Sequence, residues 1–239
     1  MTTTAEAPYY GQIGQGQRGD IDWQGSSVSL VSERWVVCAA RSVASFGSST
    51  NFFQFVGLGG TFTPRYNPDE IYGVAKKYVH PLYTDFSQAY NDIALLRLDR
   101  EVTFTSRILP VCLNTGIPLP SSGFIFTAYY DSPEYKSTML RLPEEECSRV
   151  FPAGSERHPA GVKHDLEICS RPINTTKECP GWYGGAPLTL TNSPREACTH
   201  LLVGLAAGYT SEPCTYTYTR ISGFIPWIEG IAWSERNLS

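Results

Sequence analysis

Seven cysteines in 239 residues, together with the sequon Asn174-Thr175-Thr176, fit a chain matured in an oxidising compartment, with thiols paired and a glycan on Asn174. An odd count leaves a thiol free or linked to another polypeptide. Three runs hold residue types capable of proton or nucleophile chemistry: Arg41 at the end of Trp35-Val36-Val37-Cys38-Ala39-Ala40-Arg41, Asp92 in Asn91-Asp92-Ile93-Ala94-Leu95-Leu96, and Tyr183 in Gly181-Trp182-Tyr183-Gly184-Gly185-Ala186-Pro187-Leu188. A guanidinium, with a pKa above about 12, has no free lone pair and cannot act as a base at neutral pH. A phenol titrates near about 10 and carries its oxygen several bonds further from the backbone than a serine hydroxyl does. Arg18-Gly19-Asp20 spells the tripeptide that integrins recognise, although three ordinary surface residues in a row is the plainer reading.

The order of these runs carries a resemblance. The segment ending in Ala39-Ala40-Arg41 resembles the strand and turn that end in Ala-Ala-His in chymotrypsin-like serine proteases, with Arg41 in the histidine's place. The run from Asn91 to Leu98 is similar to the family's aspartate motif, which places Asp92 at the triad acid, and Ile108-Leu109-Pro110-Val111-Cys112-Leu113 follows it as in the family. The nucleophile motif Gly-Asp-Ser-Gly-Gly-Pro-Leu is matched by 181–188 with one extra residue, and Tyr183 falls at the serine. Tyr218-Thr219-Arg220-Ile221-Ser222 and Pro226-Trp227-Ile228-Glu229 resemble the last strand and terminal helix. The likeness is greatest to the protease-like domain of arthropod clip-domain serine protease homologues.

That resemblance implies a degenerate triad, Arg41, Asp92 and Tyr183, and no hydrolysis. Trp182 replaces the aspartate that pairs with the N-terminal amine released on activation, and Ile13-Gly14-Gln15-Gly16 matches the usual amine-bearing segment only faintly. Lys177 stands at the base of the specificity pocket where trypsin-like members carry aspartate, and Ala207-Gly208-Tyr209 replaces the Ser-Trp-Gly of the pocket wall. Three large rings, Trp182, Tyr183 and Tyr209, are expected to reshape the old cleft. Arg41 is expected to form an ion pair with Asp92. The histidines His80, His158, His164 and His200 sit outside the matching motif and read as structural. The resemblance implies disulfides Cys147–Cys169 and Cys179–Cys214, and Cys112 as the cysteine that ties such a domain to an N-terminal module. A Cys38–Cys198 pair stays open. No metal and no cofactor are expected.

Strands must position these residues. Short apolar or alternating runs at 28–31, 35–40, 52–58, 71–79, 93–98, 124–130, 201–207 and 215–221, separated by turn signals, predict an all-β fold. The resemblance makes this two six-stranded antiparallel β-barrels with a C-terminal helix. Phe224, Ile225, Trp227, Ile228 and Ile231 recur at helical spacing. The predicted division is a flexible leader over residues 1–20, a first barrel over about 21–116, an exposed crossing near 117–123, a second barrel over about 124–222 and a helix over about 223–233.

Composition narrows the function. Hydrophobic residues at 41% and charged residues at 18% describe a folded domain, not a disordered chain. A formal charge of −4 from 19 basic and 23 acidic residues gives no footprint for nucleic acid. No run suits a membrane-spanning helix, and the polar opening residues 1–8 lack the apolar centre of an export signal, which is expected to have been removed. The expectation is a secreted, catalytically inactive homologue that binds proteases, zymogens or immune factors. The alternatives are an enzyme with an unconventional site, or an adhesion protein using Arg18-Gly19-Asp20.

Overall fold

The computed structural model describes residues 7–44, 53–62, 66–84, 87–128, 135–174, 184–191 and 199–234. In chain order these form β1 (Tyr10–Gln17), β2 (Asp20–Ser32), β3 (Trp35–Cys38), α1 (Arg41–Ala44), β4 (Phe53–Leu58), β5 (Thr61–Phe62), β6 (Tyr66–Asn67), β7 (Glu70–Val79), β8 (Ala94–Leu98), β9 (Cys112–Leu113), β10 (Ser122–Ala128), β11 (Tyr135–Arg141), α2 (Glu144–Val150), β12 (Glu167–Pro172), β13 (Pro187–Thr191), β14 (His200–Ser211), β15 (Cys214–Arg220) and α3 (Ile225–Ala232). Strands β1-β2-β3-β8-β7-β4 close into one barrel, and β13-β10-β11-β12-β15-β14 close into a second through the β13–β14 pairing. Short β9 adds to β14 in parallel. The two barrels and the C-terminal helix expected from the sequence are the architecture observed.

Alternation explains how two barrels make one molecule. On β3 and β8, Val36, Cys38, Ala94, Leu96 and Leu98 point into the first barrel. Their neighbours Trp35, Val37, Ile93 and Leu95 join a separate core with Val111, Leu202, Leu205, Ile221, Phe224 and Ile228. Successive side chains of a strand point to opposite faces. Both faces of β3 are therefore buried, and those of β8 as well apart from the half-buried Arg97, one face in a barrel and one between the barrels. The second barrel packs its own interior from Phe124, Phe126, Met139, Leu188, Val203, Tyr216 and Tyr218.

Helix α3 follows a 3-10 turn at Ile221–Phe224, with Pro226 in its first turn, where a missing N–H is tolerated. Its apolar stripe, Ile228 and Ala232 flanked by Ile225, Trp227 and Ile231, covers the core between the barrels. The crossing before β10 is exposed at every residue from 115 to 123 except Leu119, and the Asn114 Oδ1 accepts hydrogen bonds from the backbone N–H of Gly116 and Ile117 at 2.7 and 2.9 Å.

Two expectations are corrected here. Residues 1–20 are not a leader throughout, because residues 10–17 are β1 and pair with both β2 and β4. The Gly- and Gln-rich composition hides the strand. Its glycines lie where neighbouring chains leave no room for a side chain: a Cβ on Gly14 would stand 2.3 Å from Ile21 Cγ2. Ile13, read as part of an amine-bearing segment, is fully buried in the first barrel.

The second correction concerns the thiols. Cys147 and Cys169 are bonded, tying α2 to β12 beside Leu142 and Phe151. Cys214 is also in a disulfide, while its expected partner Cys179 lies outside the described residues. Cys112, expected to reach another module, is itself disulfide-bonded in this chain; β9 holds it opposite Leu201 on the edge of β14. Among the described residues the free thiol is Cys38, so the Cys38–Cys198 pair left open above is not formed; the Cys38 side chain faces the closed interior of the first barrel.

Candidate functional site

Arg41 opens α1, the short turn that leaves β3, and Ala39 and Ala40 accept its first backbone hydrogen bonds. Asp92 lies just before β8. Asn91 precedes it at φ 53°, a left-handed conformation that asparagine tolerates, with its side-chain amide donating to Leu82 O at 3.0 Å. The Thr219 hydroxyl of β15 donates to the Asp92 carbonyl at 3.1 Å. The backbone that carries the carboxylate is thus held from both barrels.

Arg41 closes on this carboxylate from two directions. Its backbone N–H donates to Asp92 Oδ1 at 2.8 Å, and its Nε donates to Asp92 Oδ2. Nη2 crosses to the second barrel and donates to Ala207 O at 2.8 Å, with a longer contact to Gln88 O at 3.4 Å. The side chains are 2% and 0% exposed. Burial pushes the Asp92 carboxyl above its ordinary value, and the charge and hydrogen bonds of Arg41, with help from Arg157, oppose the rise. The Arg41–Asp92 pair expected from the sequence is present.

A second arginine stands beside the pair. Arg157 is half-buried, and burial followed by repulsion from Arg41 depresses its pKa, against the attraction of Asp92. It lies over Gly208, the position that the family fills with tryptophan. A Cβ there would meet Thr217 Oγ1 at 2.6 Å, with Arg157 Cδ and His158 Cε1 next at 3.7 and 3.9 Å. Glycine at this bulge in β14 lets Arg157 and His158 pack against the strand.

Tyr209 follows on β14. Tyr209 is half-buried and stacks on its cross-strand partner Tyr216 with centroids 5.9 Å apart and planes 25° apart. Tyr216 is fully buried and continues into Phe126 and Tyr218. Tyr183, Trp182 and Lys177 lie outside the described residues. The chain after them is placed: Gly185 donates its N–H to Ala206 O, and a Cβ on it would stand 3.2 Å from Ala39, two residues before Arg41.

No histidine hydrogen-bonds Asp92 among the described residues. His158 is fully buried, its Nε2 2.9 Å from Glu167 Oε1, while Glu167 Oε2 accepts the Lys163 N–H at 2.8 Å. His80 sits edge-on to Phe224 and Trp227, and burial lowers its pKa. His200 packs on Tyr9 and is lowered by burial and then by Lys136. His164 Nε2 meets the Ser148 hydroxyl at 2.8 Å on the surface. The buried His158–Glu167 pair and the role of Arg157 were not read from the sequence. Neither had a signal there, since each depends on how the loop after α2 folds back over β14. No group of three or more His, Cys, Asp or Glu is placed to hold a metal among the described residues.

Two β-barrels meeting at a buried carboxylate, with the nucleophile segment returning beside it, define the protease architecture of the two-barrel class. The family model described as Trypsin matches residues 5–228, and the chain belongs to that family. It is 27% identical to Melanization protease 1 of Drosophila melanogaster over 95% of this chain and 63% of that protein. It is 27% identical to Phenoloxidase-activating factor 1 of Holotrichia diomphalia over 96% of this chain and 67% of that protein. Serine protease Hayan of Drosophila melanogaster is 30% identical over 86% of this chain and 34% of its own length. The chain thus spans from a third to two thirds of these relatives. No described helix is long and apolar enough to cross a membrane.

Proposed function

We propose that this chain is a secreted, non-catalytic trypsin homologue that acts by binding proteins, as a cofactor, adaptor or regulator in an extracellular protease cascade of the innate immune kind. The observation that carries this reading is the Arg41–Asp92 pair. At the position of the general base stands a guanidinium that donates every hydrogen it directs at the carboxylate and accepts none. With Tyr183 in the serine's place, neither proton abstraction nor attack has a competent group. The relatives' names, a melanization protease and a phenoloxidase-activating factor, support the cascade setting. Exposed Asn174 heads a sequon and suits a glycan, in keeping with passage through a secretory compartment.

The test has two arms. The pure protein is incubated with broad peptide libraries and with a serine-directed phosphonate probe, and no turnover and no labelling are expected. Turnover or labelling that disappears on Tyr183→Ala or Asp92→Ala overturns the non-catalytic reading. In the second arm the protein is used as bait in its native fluid, and mass spectrometry is expected to return proteases, zymogens or immune factors. Recovery of none of these refutes the cascade role.

A further inference from the structure

We propose that the tip of the β1–β2 hairpin is a receptor-binding site of the Arg-Gly-Asp type, recognised by a receptor that offers a bound divalent cation to Asp20 and an acidic pocket to Arg18, as integrins do. This stands apart from the role proposed above and does not depend on it. The β1–β2 ladder runs out to the Gln17–Asp20 pair, so Arg18 and Gly19 alone make the loop. Gly19 has φ +105° whereas Arg18 is not at positive φ, the pattern of a type II turn, in which the second central residue is glycine. The tripeptide is therefore held at the end of a barrel hairpin, and residues 17–20 are all exposed. Holding a recognition element in one conformation removes part of the ordering cost of binding.

The two charged groups are also available. Asp20 makes no ion pair among the described residues, and a carboxylate oxygen is the ligand a hard divalent cation prefers. Arg18 rests lightly: its Nη2 donates to Ile71 O at 3.3 Å, and its side chain makes no ion pair among the described residues. The same carbonyl accepts Arg100 Nη1 at 3.0 Å, and Arg100 is itself paired with Glu70 and Asp99. When Arg18 swings away, the Ile71 carbonyl keeps a donor and the local repulsion between two guanidinium groups is relieved. A planar guanidinium then presents a fork of donors to a receptor carboxylate. Between the two charges stands a residue without a side chain, and a Cβ built there meets no atom within 4 Å.

The experiment is surface plasmon resonance of the whole chain over an immobilised Arg-Gly-Asp-binding integrin ectodomain in Mn2+ buffer. Saturable binding is expected, lost in EDTA and displaced by a free Gly-Arg-Gly-Asp-Ser peptide. Asp20→Glu keeps the charge but moves the carboxylate out by one methylene, and should weaken binding by at least about ten-fold, or about 1.4 kcal/mol. Gly19→Ala adds a methyl that meets no atom within 4 Å yet is disfavoured at φ +105°, and should weaken it too. Asp22→Glu, two residues further along β2, should leave binding unchanged, and melting curves establish that each variant is folded. Absence of saturable binding by the unaltered protein, or binding that survives EDTA or the peptide, overturns the proposal even if a variant fails to fold. Full binding by folded Asp20→Glu does the same.

Discussion

Removing the Arg41 guanidinium should be among the most costly single changes in the first barrel. Arg41→Ala leaves Asp92 with the one backbone N–H of residue 41 and the half-buried Arg157 as its remaining counter-charge, at a site where the two side chains are 2% and 0% exposed. Breaking a buried ion pair from one side costs about 3–5 kcal/mol, because the survivor is a charge without solvent or partner. The Ala207 carbonyl also loses its donor, which adds about 1 kcal/mol. For a chain of this size, about 4 kcal/mol corresponds to a fall in Tm of about 10 °C. Asp92→Ala should cost a similar amount by stranding Arg41. The double variant removes both charges, so its loss should lie well below the sum of the two. Urea unfolding of the four proteins, disulfides intact, gives the coupling energy, expected at about 2 kcal/mol or more. Additivity within about 0.5 kcal/mol would show that the contact does not hold the site together, and the account of Arg41 as a structural anchor would fail.

Three further outcomes are expected. Cys38 is fully buried and its thiol is pushed far up by burial and then by the Asp92 charge, so iodoacetamide should modify it only on unfolding; labelling of the native protein at the rate of an exposed thiol would contradict its placement. Gly208→Ala should destabilise by about 2 kcal/mol through the clash with Thr217 Oγ1, and Thr217→Ala in the same chain should recover most of it; a neutral Gly208→Ala would mean the bulge relaxes freely. Burial holds His80 and His200 below the unfolded value of about 6.5, so the unfolded state takes up more protons and stability present above about pH 6.5 is lost as the pH falls through it. Urea midpoints at about pH 7.5 and 5.5 should show that drop, and it should shrink in the His80→Gln, His200→Gln variant.

Much of the fold was legible because β3 and β8 spell alternating or continuous apolar runs that only a buried strand satisfies, and because Asp92 and Arg41 lie at their ends. Their pairing follows from charge and from the resemblance together. Strand β1 was illegible for a physical reason. Its residues are chosen for the absence of a Cβ at close approaches such as that of Gly14 to Ile21, and a scale of apolar periodicity counts glycine as silence. The contact between Tyr209 and Tyr216 was hidden by the register shift between Ala206 and Gly208, which no local pattern announces. His158 and Glu167 are nine residues apart across an irregular loop, so nothing in their spacing foretold a buried pair. The turn at Arg18-Gly19 became visible only once β1 was seen to be a strand.

A sheet strand ordinarily keeps one face in water, where half of its positions can change freely. β3 has no such face, and β8 keeps only the part-exposed Arg97 on its seam side, since one side fills a barrel and the other packs the seam between the barrels. A truncation or an added charge on one face damages the barrel interior, and on the other face it damages the seam, so no apolar position of either strand changes without cost to a core. Substitution in these two strands is therefore constrained at nearly every position, and the motifs they carry, by which the chain matches the Trypsin model, are held in place by packing. The landmarks of the family are fixed here by what they bury.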